Sequence, residues 1–196
     1  MKIISTFLII IFLFFSLNAK AANITFSSAK YKNDRFIIKV IGVVSAKPAQ
    51  VFAVLTDYKN IPKISPKIIE SKIIKTDGDT TIVKTVAKGC VWFFCKEIIN
   101  TQTTTSIPEK RIQSITINAQ SNLKFGQMVW NIKEVNLGTQ IDYYAEIEPD
   151  FFVPPLIGSY FIKNYMLEEA KYFIDSVEKL VDQHTKEGAE PTKNAL

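Results

Sequence analysis

The chain has 196 residues, 47% of them hydrophobic and 22% charged, which fits one packed domain and excludes wholesale disorder. Two cysteines and one histidine, His184, exclude a disulfide-dense scaffold, a four-thiolate zinc site and a multi-histidine metal site. The formal net charge of +5 includes Lys2 and Lys20 of the first segment, and the remainder carries no basic motif, so no nucleic-acid partner is expected.

Residues 1–21 read as a signal peptide. Met1-Lys2 gives a positive start, Ile3 to Leu17 is an apolar run, and Ala19 and Ala21 supply the small-x-small pattern of a cleavage site. The run spans about 15 residues, short of the roughly 20 that a membrane helix needs. The mature protein is therefore expected outside the inner membrane, in the periplasm. Residues 22–34 read as a short lead-in, 35–183 as the domain and 184–196 as a polar tail.

Residues 35–44 alternate, with Phe36, Ile38, Val40 and Val44 on one parity, and predict a strand. Ser45 is a candidate helix cap and Pro48 fits a first helical turn. Val51, Phe52, Val54 and Leu55 give that helix its apolar side, and Pro62 and Pro66 end helical structure. Strand-like segments follow near 68–75, 80–88, 92–104, 111–119, 123–135 and 139–148. The turn signals between them include Asp77-Gly78-Asp79 and Asn136-Leu137-Gly138. Their spacing predicts an antiparallel meander. After Pro154-Pro155 the apolar period changes to three and four, predicting a helix over 156–183, about 42 Å long at 1.5 Å per residue. His184 lies just beyond the stripe, near the C-terminal end of the helix dipole.

Met128, Trp130 and Ile132 share one parity of their strand, and Ile141, Tyr143, Ala145 and Ile147 one parity of the next. Tyr160, Phe161 and Tyr165 add aromatic groups at helical spacing. By pattern alone such residues form a filled core. Glu146 and Glu148 fall on the outward parity and are given no catalytic part. Asp57-Tyr58 reads as a helix end. Lys59, Lys63, Lys67, Lys72 and Lys75 read as a solvated face, with a basic rim for anionic headgroups as the alternative. Hydrolase and phosphate-loop motifs and metal-ligand spacing are absent from the sequence.

Strand, short helices, strands and long helix is the order of the helix-grip fold. Pro48, Val51-Phe52, Leu55, Asp57-Tyr58, Pro62 and Pro66 resemble the first helix segment of the START-like (SRPBCC) superfamily. Gly126, Trp130, Gly138-Thr139, Tyr143, Pro149-Asp150-Phe151 and Pro154-Pro155 are similar to its exported bacterial members. The resemblance covers about residues 35–181. It implies an α+β helix-grip fold, a curved antiparallel sheet of about seven strands around the long helix, with an apolar cavity between them. Met128, Trp130, Ile132, Tyr143, Tyr160, Phe161 and Tyr165 would line it, with Trp92 and Phe94 at its rim.

Cys90 and Cys95 are a special case. In a regular strand they would lie about 16–17 Å apart, whereas a bridge needs Cα atoms within about 7 Å. A disulfide therefore requires a turn between them, which Lys88-Gly89 could begin and which would leave some of Val91 to Phe94 exposed. An oxidising compartment, together with a paired cysteine at this place in the exported relatives, favours the bridge.

The superfamily holds lipid carriers, coenzyme Q-binding proteins and aromatase/cyclases, so it specifies the fold more than the function. The favoured reading is a carrier of a hydrophobic small molecule or lipid, with no catalytic chemistry, no cofactor and transient contact with a membrane surface. A cyclase or dehydrase on an aromatic or polyketide-like substrate, and an envelope interaction module with a filled core, are the alternatives. N-terminal sequencing of the exported protein is expected to find Ala22 first; Met1 would defeat the signal-peptide reading.

Overall fold

A computed structural model describes residues 22–91, 94–153 and 158–187, leaving aside the side chains of 91, 94, 158, 159 and 184–187. Eight strands form one antiparallel sheet in the order β1-β2-β8-β7-β6-β5-β4-β3. The strands are β1 (Asn23–Lys32), β2 (Arg35–Val44), β3 (Ile68–Asp77), β4 (Thr80–Val91), β5 (Phe94–Ile107), β6 (Arg111–Thr116), β7 (Leu123–Val135) and β8 (Gly138–Pro149). Helices α1 (Pro48–Thr56) and α2 (Ile61–Ile64) follow β2, and α3 (Lys163–Glu187) ends the described chain, entered through a π-helical turn at Gly158–Ile162. Pro154-Pro155 lies outside the described residues.

The sheet has one strand more than the sequence pattern indicated. The stretch read as a lead-in is β1, joined to β2 by a tight turn at Asn33 and Asp34, whose φ values are 51° and 59°. Asn and Asp tolerate this left-handed conformation, which suits the twist of a two-residue hairpin. As an edge strand β1 contributes little to the core, so its Ser27-Ser28-Ala29 stretch shows no apolar alternation.

Along β2, Phe36, Ile38, Val40 and Val44 are all 1% exposed or less. Ile38, Val40 and Val44 meet Ala170, Ile174, Val177 and Val181 of α3, with Ile132 and Ile141 completing the floor. Gly42 lets the helix come down: a Cβ there would stand 3.0 Å from Ile174 Cγ2. Outward, Arg35 bonds Glu146 at 2.8 Å and Glu148 at 3.0 Å, which occupies the two outward carboxylates.

The junction from β2 to α1 is held from three sides. The Ser45 N–H donates to Glu178 Oε2 at 2.6 Å, and the Thr139 hydroxyl to the Ala46 carbonyl at 2.6 Å. Gly138, at φ 135°, packs where a Cβ would overlap the Val44 carbonyl oxygen. The helix starts at Pro48, so Ser45 lies too early to be its cap. Lys47 occupies that position, and its N–H donates to Gln50 Oε1 at 3.0 Å.

The paired cysteines form a disulfide, with Cα atoms 4.0 Å apart. The chain reverses between Val91 and Phe94, which face each other, so Cys90 faces Cys95 and Gly89 faces Lys96 across the hairpin. The turn lies later than Lys88-Gly89 suggested. Trp92, and the side chain of Phe94, lie outside the described residues. Closing so short a loop restricts the unfolded chain modestly. Reduction is expected to lower the stability of the purified protein by about 2 kcal/mol, read as a shift of the urea midpoint at unchanged slope. A midpoint that does not move would mean that the hairpin is equally ordered without the bridge.

Candidate functional site

The two ends of the sheet meet α3 differently. β1 and β2 lie close beneath it, whereas the inner faces of β4, β5 and β6 carry mostly short or polar side chains beside Ile98 and Ile112. Thr85, Ala87 and Gly89 of β4, Ile98, Asn100 and Gln102 of β5, and Ile112 and Ser114 of β6 face a cavity of about 300 Å³ under the first half of the helix. A second, smaller space of about 150 Å³ shares the walls Gly89, Ile98, Leu123, Ile147, Tyr165 and Met166 with it and extends toward Phe151 and Val153. The main volume lies at the lower end of the range of small-molecule sites.

One wall is aromatic. The Trp130 ring sits 4.1 Å from that of Tyr143 and 5.1 Å from that of Phe173, centroid to centroid. Met128 completes this side. Burial pushes the Tyr143 phenol well above its ordinary range, so it is a neutral hydroxyl at any physiological pH. Tyr165 lines both spaces, and its hydroxyl is buried without a hydrogen-bond partner. Its phenol is pushed up first by burial and then by Glu169.

The opposite side is a polar floor. Asn100 and Gln102 are each 7% exposed. The Asn100 amide donates to Gln102 Oε1 at 2.9 Å, and the Thr116 hydroxyl donates to Asn100 Oδ1 at 2.9 Å. The Thr104 and Ser114 hydroxyls bond each other at 2.8 Å. Glu169, Lys67 and Lys88 also reach the lining, but both lysines are exposed. Burial raises the Glu169 carboxyl above the usual range, and Lys67 and the Ser65 hydroxyl offset part of that.

Of the residues singled out from sequence, Met128, Trp130, Tyr143 and Tyr165 come together around this cavity. Ile132 is buried in the core under α3 instead. Tyr160 and Phe161 are 61% and 47% exposed and lie outside the lining, edge to face with each other. In the lysine series, Lys72 pairs with Glu70 and Lys75 with Asp77, and Lys67 alone of the five reaches the cavity. Asp57 accepts from the Asn60 amide at 2.8 Å, as befits a helix end. His184 belongs to α3, with its side chain outside those described. The polar floor was missed in the sequence because Thr101 to Thr105 are polar on both parities, which erases the contrast that period-two reading depends on.

Residues 38–181 match the model of the family described as polyketide cyclase / dehydrase and lipid transport, and the chain belongs to that family. No curated protein matches the sequence. Among solved structures, a Thermus thermophilus protein aligns at TM-score 0.64 and 14% identity, over 76% of this chain and 99% of that one. The Zhui aromatase/cyclase from Streptomyces sp. R1128 aligns at 0.62 and 13%, over 80% and 99%. A STAR-related lipid transfer protein from Xanthomonas axonopodis aligns at 0.61 and 9%, over 84% and 100%. At these identities the likeness is one of fold.

Glu169 gives the site a pH signature. A carboxyl whose folded pKa lies above its unfolded value of about 4.3 holds its proton more tightly in the native state. Stability is then lost as pH rises from the unfolded to the folded value. Replacing Glu169 by Gln is expected to raise the melting temperature near pH ~7 and to change it little near pH ~3, below both values. A variant less stable than wild type at neutral pH would refute the assignment.

Proposed function

We propose that the mature chain is an exported, periplasmic carrier that holds a hydrophobic small molecule or lipid in this cavity without changing it chemically. The observation that carries this reading is the makeup of the lining. An apolar and aromatic chamber opens beneath α3, and the polar groups buried in its lining include the uncharged amides of Asn100 and Gln102 and the Ser114 hydroxyl. Such a site rewards burial of an apolar body and fixes its orientation through a few hydrogen bonds. The family description supports it, since it includes lipid transport. The disulfide suits an oxidising compartment. Exposed lysines at the lining, Lys67 and Lys88, would favour transient contact with an anionic membrane surface during loading.

One observation favours an enzymatic second reading. Glu169 is a carboxyl raised by burial at a cavity wall, next to Tyr165 in its electrostatic field, and perturbed acids of this kind serve as general acids elsewhere. A solved neighbour of the same fold is an aromatase/cyclase.

Protein purified from its native envelope and extracted into organic solvent for mass spectrometry separates the two. The carrier reading expects near-stoichiometric recovery of an apolar compound that is the same before loading and after release, with Glu169→Gln retaining it. Ala87→Phe, which fills the chamber from β4, is expected to cut retention by about tenfold or more while keeping the circular dichroism of the fold. Recovery of a compound converted by wild type and not by Glu169→Gln would favour the enzyme. Equal, negligible recovery from wild type and Ala87→Phe would remove the carrier reading.

A further inference from the structure

A sequence pattern and a structural contact meet at Ala22. The small-x-small pattern of Ala19 and Ala21 puts the cleavage point between Ala21 and Ala22, so the processed chain starts there with a free α-amino group. The Ala22 nitrogen lies 3.2 Å from Asp175 Oδ1 on α3. Asp175 is partly shielded, its side chain 27% exposed, and its other oxygen holds Lys179 Nζ at 2.6 Å. One carboxylate oxygen therefore serves the helix's own lysine, and the other faces the start of the chain.

The surrounding packing seats this contact. Ile24 of β1 and Ile174 of α3 converge over Gly42, where a Cβ would stand 3.0 Å from each. Ala22 is itself half-buried against the core under the helix. Asp175 and Glu178, three residues apart on α3 and so neighbours on its surface, each take a backbone nitrogen: Ala22 before β1 and Ser45 after β2. β1 needs such a tie. It is an edge strand, and a register shift between Ile24 and Phe26 sets its first pairs off from the rest of the ladder. A chain end in that position frays unless something holds it.

Resting on the reading that residues 1–21 are removed on export, we propose that processing creates a latch: cleavage turns the neutral Ala22 amide into an ammonium group, and Asp175 captures it in an ion pair that fastens β1 to α3. A signal peptidase adds one water across the Ala21–Ala22 peptide bond, leaving a carboxylate on Ala21 and the α-amino group on Ala22. That amine is mostly protonated at neutral pH, since its ordinary pKa is about 7.7–8.0. A charge-assisted bond is about twice as strong as a neutral one, and a partly shielded pair is screened less than an exposed one. The same nitrogen and oxygen thus hold weakly in the precursor and firmly in the mature chain. The dense half of the fold is complete only once the leader is gone.

Melting temperatures of chain 22–196 purified from the exported fraction test this at neutral pH, with Ala22 either free or Nα-acetylated. Acetylation keeps an N–H on Ala22 and removes its charge. It is expected to lower the melting temperature of wild type by about 2–4 °C, and that of Asp175→Asn by less than about 1 °C. Asp175→Asn also releases Lys179, so Lys179→Met is the second variant. It keeps the carboxylate, and acetylation is expected to cost it at least as much as wild type. No effect of acetylation in wild type, or an equal effect with and without the Asp175 carboxylate, would overturn the latch while leaving export and carriage standing. Intact mass separates the two: an exported chain that starts at any residue other than Ala22 would overturn the cleavage reading and this inference with it.

Discussion

α3 closes against β1, β2 and α1, and this one-sided packing decides where the molecule is dense and where it is open. Ile174, Val177 and Val181 reach the sheet because Gly42 removes a side chain from the point of closest approach and because β2 alternates large apolar groups inward. An antiparallel sheet of eight strands twists too far for one straight helix to follow it across its full width. The far strands curve away from the helix, and what they present inward determines whether the gap is filled. Here they present Thr85, Ala87, Gly89, Asn100, Gln102 and Ser114, with Ile98 and Ile112 among them. None of these spans the gap, and the cavity is the volume they leave.

The helix is kept in this position by polar contacts as well as by packing. Glu178, 1% exposed, takes the Ser45 N–H with one oxygen. Thr139 fastens the β7–β8 turn to Ala46. The Glu178 contact binds the C-terminal half of α3 to the β2–α1 junction, whereas the N-terminal half, which roofs the cavity, is entered through a π-helical turn and carries Tyr165 with its hydroxyl unbonded. One end of the helix is therefore anchored, and the other rests on the site with fewer polar attachments. A ligand entering from the side of Phe151 and Val153 would meet the less anchored end first.

Some of this was legible in the amino-acid order. β8 alternates cleanly, and Ile141, Tyr143, Ala145 and Ile147 face inward as their parity requires, while Glu146 and Glu148 are held outside by Arg35. The stripe Ala170, Ile174, Val177 and Val181 has the period of a buried helix face. Three features resisted for separate physical reasons. β1 sits at an edge and buries little, so no alternation was selected in it. Tyr160 and Phe161 belong to a π-helical turn, where i→i+5 bonding shifts the phase of the helix; extending the α3 stripe backward at 3.6 residues per turn places them on the wrong side. The turn between Cys90 and Cys95 lies inside an apolar run with no Gly, Pro or Asn to mark it, so only the pairing of its flanks reveals it.

The open half of the fold also bears on stability. A close-packed interior forfeits contacts around any void, because the lining atoms have no partners on one side. The cavity of about 300 Å³ opens to solvent, so its apolar lining meets water where a closed core would give it partner atoms. The fold is held by its dense half, the β1–β2–α3–α1 packing, and by the satisfied amide and hydroxyl pairs on the cavity floor. A bound apolar molecule would restore the missing contacts in the native state alone, and by mass action anything that binds only the folded form stabilises it. Under the carrier reading, occupancy and stability would be coupled through the same side chains. Trp130 and Tyr143 pack against each other with their rings tilted, Phe173 of the helix lies against Trp130, and both Trp130 and Tyr143 also face the cavity. A substitution at either would weaken packing and any such binding together.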